Sequence, residues 1–194
     1  MKLVVGLGNP GKEYTHSRHN IGFLVINQLA RSHDIALTKR KFKSRWETGK
    51  ISRHKVILAK PHTYMNLSGE AVNAITRFYK IVPKDIIVVH DDIDIDFGHL
   101  KIKTKGGSGG HRGIDSIITL LKEDKFVRVR VGVGRPTSDI DPSDFVLKQF
   151  NVREKKDLKE VITKAQKCIE TILKQGPESA MNIFHRENPN NSLN

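Results

Sequence analysis

Cysteine is almost missing from this 194-residue chain: Cys168 stands alone. No internal disulfide framework is possible, and the chain reads as one suited to a reducing compartment, the cytoplasm. Long hydrophobic runs are missing too. No apolar stretch approaches the roughly 20 residues that a membrane helix needs. The opening MKLVVGLGNPG turns at Gly6, too early for a signal-peptide core. Internal repeats and linker-like stretches are also lacking, so the length fits one domain. Acidic side chains are scarce, with 21 Asp and Glu against 34 Lys and Arg, a net charge of +13. That excess favours polyanionic partners through counterion release and long-range steering, with plain solubility as the alternative.

The excess is uneven. Residues 1–50 carry ten basic and three acidic side chains, a balance of +7, whereas residues 51–100 set six against six. Hydrophobic residues make up 37% of the chain, enough for an ordinary globular core. Lys2–Leu7 reads as a short buried strand closed by Gly6, Gly8, Pro10 and Gly11. Apolar positions 21, 24, 25 and 29 predict a helix from near Asn20. Trp46–Ile51 and Lys55–Ala59 flank a turn and suggest a hairpin. A second helix is outlined by Val72, Ile75, Phe78 and Tyr79. Ile86–Val89 is a strongly apolar strand, and Leu100–Thr104 and Val127–Val133 alternate like half-buried ones, with a helix over Ile114–Leu121 between them. A long amphipathic helix runs from Leu158 to Ile172 and ends at Gly176-Pro177. Interleaved strands and helices predict one three-layer α/β/α domain over 1–185 with a central mixed, largely parallel sheet. Residues 186–194 read as a polar, disordered tail.

Two motifs match in letters and fail in context. Gly6-Leu7-Gly8-Asn9-Pro10-Gly11-Lys12 fits both a dinucleotide fingerprint and the start of a phosphate-binding loop. Either would need a helix to open at once with its amides on the phosphates. Pro10 removes a donor, residues 14–18 have no apolar helical face, and Glu13 stands where a magnesium-binding Ser or Thr belongs. Asp92, Asp94 and Asp96 suggest calcium, but the sixth and twelfth loop positions are Phe97 and Lys103 rather than Gly and Glu. A solvated acidic edge fits them better. The second glycine-rich run, Gly106 to Gly113, has five glycines in eight positions. It suits a backbone that approaches a ligand or moves as a lid.

Polar groups cluster just beyond strand ends, where α/β folds place their sites. Asn9 and His19-Asn20 follow the first strand, Tyr64-Met65-Asn66 precede the second helix, and Asp91 follows the central strand. A histidine beside a carboxylate can act as general base on water. Asparagine amides can donate to a carbonyl oxygen that gains charge.

Val4-Val5-Gly6-Leu7-Gly8-Asn9-Pro10-Gly11, Tyr14 and Arg18-His19-Asn20-Ile21-Gly22 closely resemble the start of bacterial-type peptidyl-tRNA hydrolases. The blocks Lys60–Gly69, Val89–Asp94, Gly106–His111 and Arg128–Pro136 continue in that family's order. The resemblance implies metal-independent hydrolysis, without a cofactor, of the ester joining a peptide to the 3′ ribose of tRNA. It also implies a cytoplasmic monomer with no obligatory protein partner and no membrane. On this reading His19 activates water, Asp91 holds its basic form, and Asn9 helps to distinguish blocked peptidyl groups. Asn66 would bind the peptide or polarise the scissile carbonyl, with Tyr14, Tyr64 and Met65 as site lining. His111 would sit on a mobile gate, and Lys103 and Arg130 would contact tRNA phosphate. Arg112 departs from the family's usual Asn and can only donate, so it is carried as a substrate contact; Asp115 stands where a basic residue is frequent. Lys39–Arg45, with five basic residues in seven, is a further candidate contact. A family-like RNA-binding protein without hydrolysis, and a nucleotide-binding enzyme, remain as competing readings.

Overall fold

The computed structural model describes residues 1–136 and 139–185. Strand β1 (Lys2–Gly6) alternates its side chains between two apolar layers: Val4 packs with helix residues on one face, Leu3 and Val5 with those on the other. Its neighbours are β4 (His54–Pro61) and β5 (Ile86–Asp92), both parallel to it, and β7 (Val127–Gly132) lies parallel beyond β5. Strands buried on both faces carry apolar runs, which is why β1, β4 and β5 stand out in the sequence, whereas β7 alternates valine with Arg128 and Arg130. The antiparallel strands β2 (Lys39–Lys41), β3 (Ser44–Ile51) and β6 (Leu100–Lys103) flank this parallel centre, giving the order β2-β3-β4-β1-β5-β7-β6.

Helices α1 (Ile21–Ser32), α5 (Val152–Gln175) and α6 (Pro177–Phe184) cover one face. On the other lie α2 (Ser68–Tyr79) and α3 (Arg112–Leu121). The predicted three layers and mixed sheet are therefore present. The chain leaves β1 toward β4 on one side and returns through α2 to β5 on the other. This reversal opens a crevice at the carboxyl ends of the parallel strands.

Three elements differ from expectation. The basic run at 39–41 is an edge strand, joined to β3 through Phe42 and Lys43, both with positive φ, 57° and 50°. Such a turn normally takes Asn-Gly. Here the Phe42 ring is held 5.5 Å from Trp46 and 5.1 Å from Phe78, so aromatic packing holds the strained backbone in place. Helix α4 (Pro142–Leu147) was not foreseen; Asp141 caps it and Pro142 occupies its first turn. Gly176-Pro177 ends α5 as predicted, but Pro177 also begins α6. The predicted tail, 186–194, lies outside the described residues.

Candidate active site

The glycines of the first loop serve packing. A Cβ at Gly6 would come within 2.1 Å of the Gly22 carbonyl oxygen, and one at Gly22 within 2.4 Å of the Leu7 nitrogen. The start of α1 can thus press against the end of β1 backbone to backbone. The first loop continues into a 3-10 turn at Lys12–Tyr14, and no α-helix opens before Ile21. No α-helix opens directly from the loop to aim its first amides at a phosphate, which removes the basis of the nucleotide reading.

A second 3-10 turn, Arg18–Asn20, carries His19 into the crevice, and both of its neighbours are buried anchors. Arg18 pairs with Glu154 at 2.7 Å, donates to the Lys148 and Gln149 carbonyls, and stacks 4.1 Å from the Phe145 centroid. Asn20 accepts from the Asn9 amide at 2.8 Å and donates back to the Asn9 carbonyl at 3.0 Å. With Arg18 and Asn20 pinned, His19 has little freedom to turn away.

The His19 Nδ1 lies 2.9 Å from each carboxylate oxygen of Asp91, at the end of β5. A buried, ionised carboxylate can only accept, so Nδ1 carries the proton and Nε2 keeps its lone pair. His111 approaches the same group from the other side, with Nε2 3.1 Å from Asp91 Oδ1. Its other nitrogen caps α3, accepting from the Gly113 and Ile114 amides at 3.2 Å each. Those amides can only donate, so His111 must bear its proton on Nε2 and give it to Asp91. Burial alone would push the Asp91 carboxyl upward; the His19 and His111 donors outweigh that and hold it well below the usual carboxylate range. His19, Asp91 and His111 present ligand atoms within 4.8 Å of one another, as a metal site would. Hydrogen bonding already accounts for this convergence, since each ring directs an N–H at the carboxylate.

His90 precedes Asp91 and is fully enclosed. Its Nδ1 donates to the Asp91 carbonyl at 2.7 Å, and its ring stands edge-on to His111 with centroids 4.5 Å apart. Burial and the neighbouring His111 press it far below the ordinary histidine value, so it stays neutral. Only its complete burial signals a role, and that is invisible in sequence.

A cleft of about 740 Å³ opens over these groups. Asn9, Tyr64, Met65, Asn66 and Arg112 line it, as expected, together with His19, Asp91 and His111. The Asn9 side-chain oxygen accepts from the Met65 amide at 2.7 Å, which turns its NH2 group toward the cleft. Tyr64 is exposed and Met65 buried, so one can meet a ligand while the other forms the wall. The far wall is α4, with Asp141, Val146 and Leu147, which the sequence reading missed. Hydrogen bonds from Ser143, assisted by the Arg112 charge, hold the exposed Asp141 carboxyl below its ordinary value.

Several expected residues stand elsewhere. Tyr14 does not line the cleft; its carbonyl accepts from the Ser17 amide and hydroxyl in the turn before His19. Arg130 donates to Asp92 at 2.6 Å and is largely covered, so a phosphate would have to displace that carboxylate. Lys103 is exposed on β6. Of the acidic run, Asp92 holds Arg130 and Asp94 holds Arg135, so ion pairing rather than solvation occupies two of the three. Cys168 is buried in the α5 core, its thiol pushed up to about 12, and it takes no part in the cleft. Among the described residues no helix is long and apolar enough to cross a membrane.

The chain is similar to known proteins. The family model "Peptidyl-tRNA hydrolase" matches residues 3–192. The chain is 48% identical over 193 residues to a peptidyl-tRNA hydrolase of Clostridium botulinum (strain Alaska E43 / Type E3), covering all of both chains. It is 46% identical over 190 residues to one from Lachnoclostridium phytofermentans, covering 98% of this chain and 100% of the relative. The crystal structure of peptidyl-tRNA hydrolase from Acinetobacter baumannii superposes with a TM-score of 0.88 at 38% identity, covering 94% of this chain and 93% of that one. With the family model spanning nearly every residue, and whole-length relatives at close to half identity, the chain belongs to the peptidyl-tRNA hydrolase family.

Proposed function

We propose that His19 is the general base in hydrolysis of the ester that joins peptide to tRNA, the reaction of this family. The observation that carries this is the 2.9 Å contact of His19 Nδ1 with both oxygens of Asp91. It leaves Nε2 free to take a proton from water, while the carboxylate stabilises the imidazolium that results. The attacked carbonyl carbon becomes tetrahedral, the leaving ribose oxygen regains a proton, and the products are free tRNA and a peptide acid.

Asn9 and Asn66 supply neutral amide donors on the same cleft, suited to a carbonyl oxygen gaining charge or to the peptide main chain. Asn9 is the better positioned, because the Met65 amide sets its orientation. Tyr64, Met65, His111 and Arg112 complete the substrate walls, with Arg112 as a donor to a carbonyl or a phosphate. Lys103 is exposed for contact with tRNA phosphate. The ester is reactive enough for this chemistry without a metal, a cofactor or a covalent nucleophile, and the chain acts as a cytoplasmic monomer.

The test is release of peptide from an N-blocked aminoacyl-tRNA. The native chain should turn it over, and His19→Ala should lose most of that turnover while still binding tRNA. No release above buffer by the native chain would refute the activity; near-native release by His19→Ala would refute the assignment of the base.

A further inference from the structure

On the face of the sheet that carries α1, three cations stand opposite one another across three strands. Arg40 of β2 is in register with Arg45 of β3, and Arg45 with Lys60 of β4. Side chains so placed have Cβ atoms about 4.5–5.5 Å apart, where like charges are destabilising. The nearby carboxylates are occupied, Glu47 by Lys39 and Glu70 by Lys43. Among the described residues no carboxylate pairs with Arg40 or Arg45.

Lys60 is pinned rather than free. Its Nζ donates to the neutral Asn27 side chain at 2.6 Å and sits 5.4 Å from the Phe23 ring centroid. Burial, and then the Arg45 charge, press its ammonium below the usual lysine range. His62, just past the end of β4, is pushed down first by burial and then by Arg45, Lys60 and Arg40. A row of mutually repelling cations on rigid strands has no evident structural benefit. It lies near the reacting end of the sheet: Ala59 pairs with Val5 of β1, and Phe23 occupies the first turn of α1, shortly after His19.

We propose that Arg40, Arg45 and Lys60 form a binding site for phosphodiester groups of the tRNA body, separate from the ester-cleaving cleft. The proposal rests on the peptidyl-tRNA reading above. Guanidinium forks match phosphate oxygens in pairs, and an arriving phosphate would convert the repulsion within the row into attraction. Arg130 differs, because Asp92 already neutralises it.

The test compares native chain, Arg45→Gln, and Arg40→Gln combined with Arg45→Gln. Kinetics are measured on N-acetyl-aminoacyl-tRNA over a salt series and on an N-acetyl-aminoacyl adenosine that lacks the tRNA body. Filter binding of uncharged tRNA and thermal unfolding accompany them. The double variant should raise KM for the tRNA substrate about 5-fold or more and reduce the slope of log KM against log salt by about one for each cation removed. Its kcat and its kinetics on the adenosine ester should match the native chain. Its Tm should hold or rise, because repulsion has been removed. Unchanged KM and salt slope in the double variant would overturn the site, as would an equal loss on both substrates. If the native chain hydrolysed neither substrate, the activity reading would fail, and the salt dependence of filter binding would still decide the phosphate site.

Discussion

Replacing Asp91 by Asn changes one atom and tests how the cleft keeps its base. The amide has one accepting oxygen and one donating nitrogen, whereas two imidazole N–H groups now converge on the carboxylate. His111 cannot change tautomer, because its Nδ1 is held by the Gly113 and Ile114 amides. The amide oxygen therefore takes the Oδ1 place, within reach of both rings. The NH2 takes the Oδ2 place, 2.9 Å from His19 Nδ1, where its N–H opposes the His19 N–H. Its favourable partner there is a His19 with a bare Nδ1 and the proton on Nε2, the tautomer that cannot accept from water. Restoring the useful tautomer leaves a buried donor unmatched, about 1–3 kcal/mol. Losing the negative charge beside the developing imidazolium costs about another 1.5–3 kcal/mol. Together these amount to roughly a 10²- to 10⁴-fold loss of kcat. Asp91→Ala should be no worse than Asp91→Asn, because an empty site lets His19 choose its tautomer. Single-turnover hydrolysis of N-acetyl-aminoacyl-tRNA between pH 6 and 9 measures this. Raising the pH should not rescue Asp91→Asn, since its defect is proton placement rather than proton number. Asp91→Asn turnover within tenfold of native, or full rescue at high pH, would refute the reasoning.

Arg18→Leu removes the guanidinium that ties the turn at His19 to Glu154 and to two carbonyls, leaving them unmatched. Chemical denaturation should show a loss of about 3–5 kcal/mol, and kcat should fall as well because His19 loses its anchor. His90→Phe should cost about 1–3 kcal/mol at pH 7 by orphaning the Asp91 carbonyl. The same change should flatten the acid dependence of stability. Native His90 is held neutral, so below its unfolded value near 6.5 the unfolded chain binds the extra proton. Stability then falls by up to about 1.4 kcal/mol per pH unit. The gap between native and variant should therefore narrow from pH 6.5 toward pH 5; parallel curves would show that His90 is not the group responsible.

The parallel centre was legible because β1, β4 and β5 are buried on both faces and carry continuous apolar sequence, while β7 shows itself by alternating valine with arginine. The edge was not. Lys39-Arg40-Lys41 has no apolar member, and it becomes a strand only because Phe42 folds back on Trp46, Phe78 and Tyr79. Helix α4 is six residues long, too short for periodicity to register, although the Asp141-Pro142 start is a capping signal. Within the cleft, His19, Asp91, Asn9 and Asn66 were recoverable from residue type and motif. What positions them was not: the burial of Arg18, the two-way bond of Asn20 with Asn9, and the enclosure of His90 depend on neighbours distant in sequence. Tyr14 was misplaced for the complementary reason. It lies near the motif in sequence, but the turn spends its carbonyl on Ser17 instead of opening it to the cleft.

The shared carboxylate ties two parts of the molecule that the sequence presents separately. The glycine-rich segment is anchored at its start by the Gly106 amide on Asp124 and by Arg128 on the Gly107 carbonyl. At its end it is anchored by His111 on Asp91. Gly109 and Gly110, between these anchors, have positive φ and open space where a side chain would sit. Freedom is thus confined to a few residues, and any movement there must either keep or break the His111 hydrogen bond. While that bond holds, Asp91 Oδ1 divides its charge between two imidazoles. Were it broken, both oxygens of the carboxylate would be left to His19 alone. Because His111 donates only while its other nitrogen caps α3, the same bond also couples the first turn of that helix to the reacting groups. The segment meets the His19–Asp91 pair at one oxygen atom, and a substitution that loosens Gly109–His111 should change kcat even where it leaves the substrate walls intact.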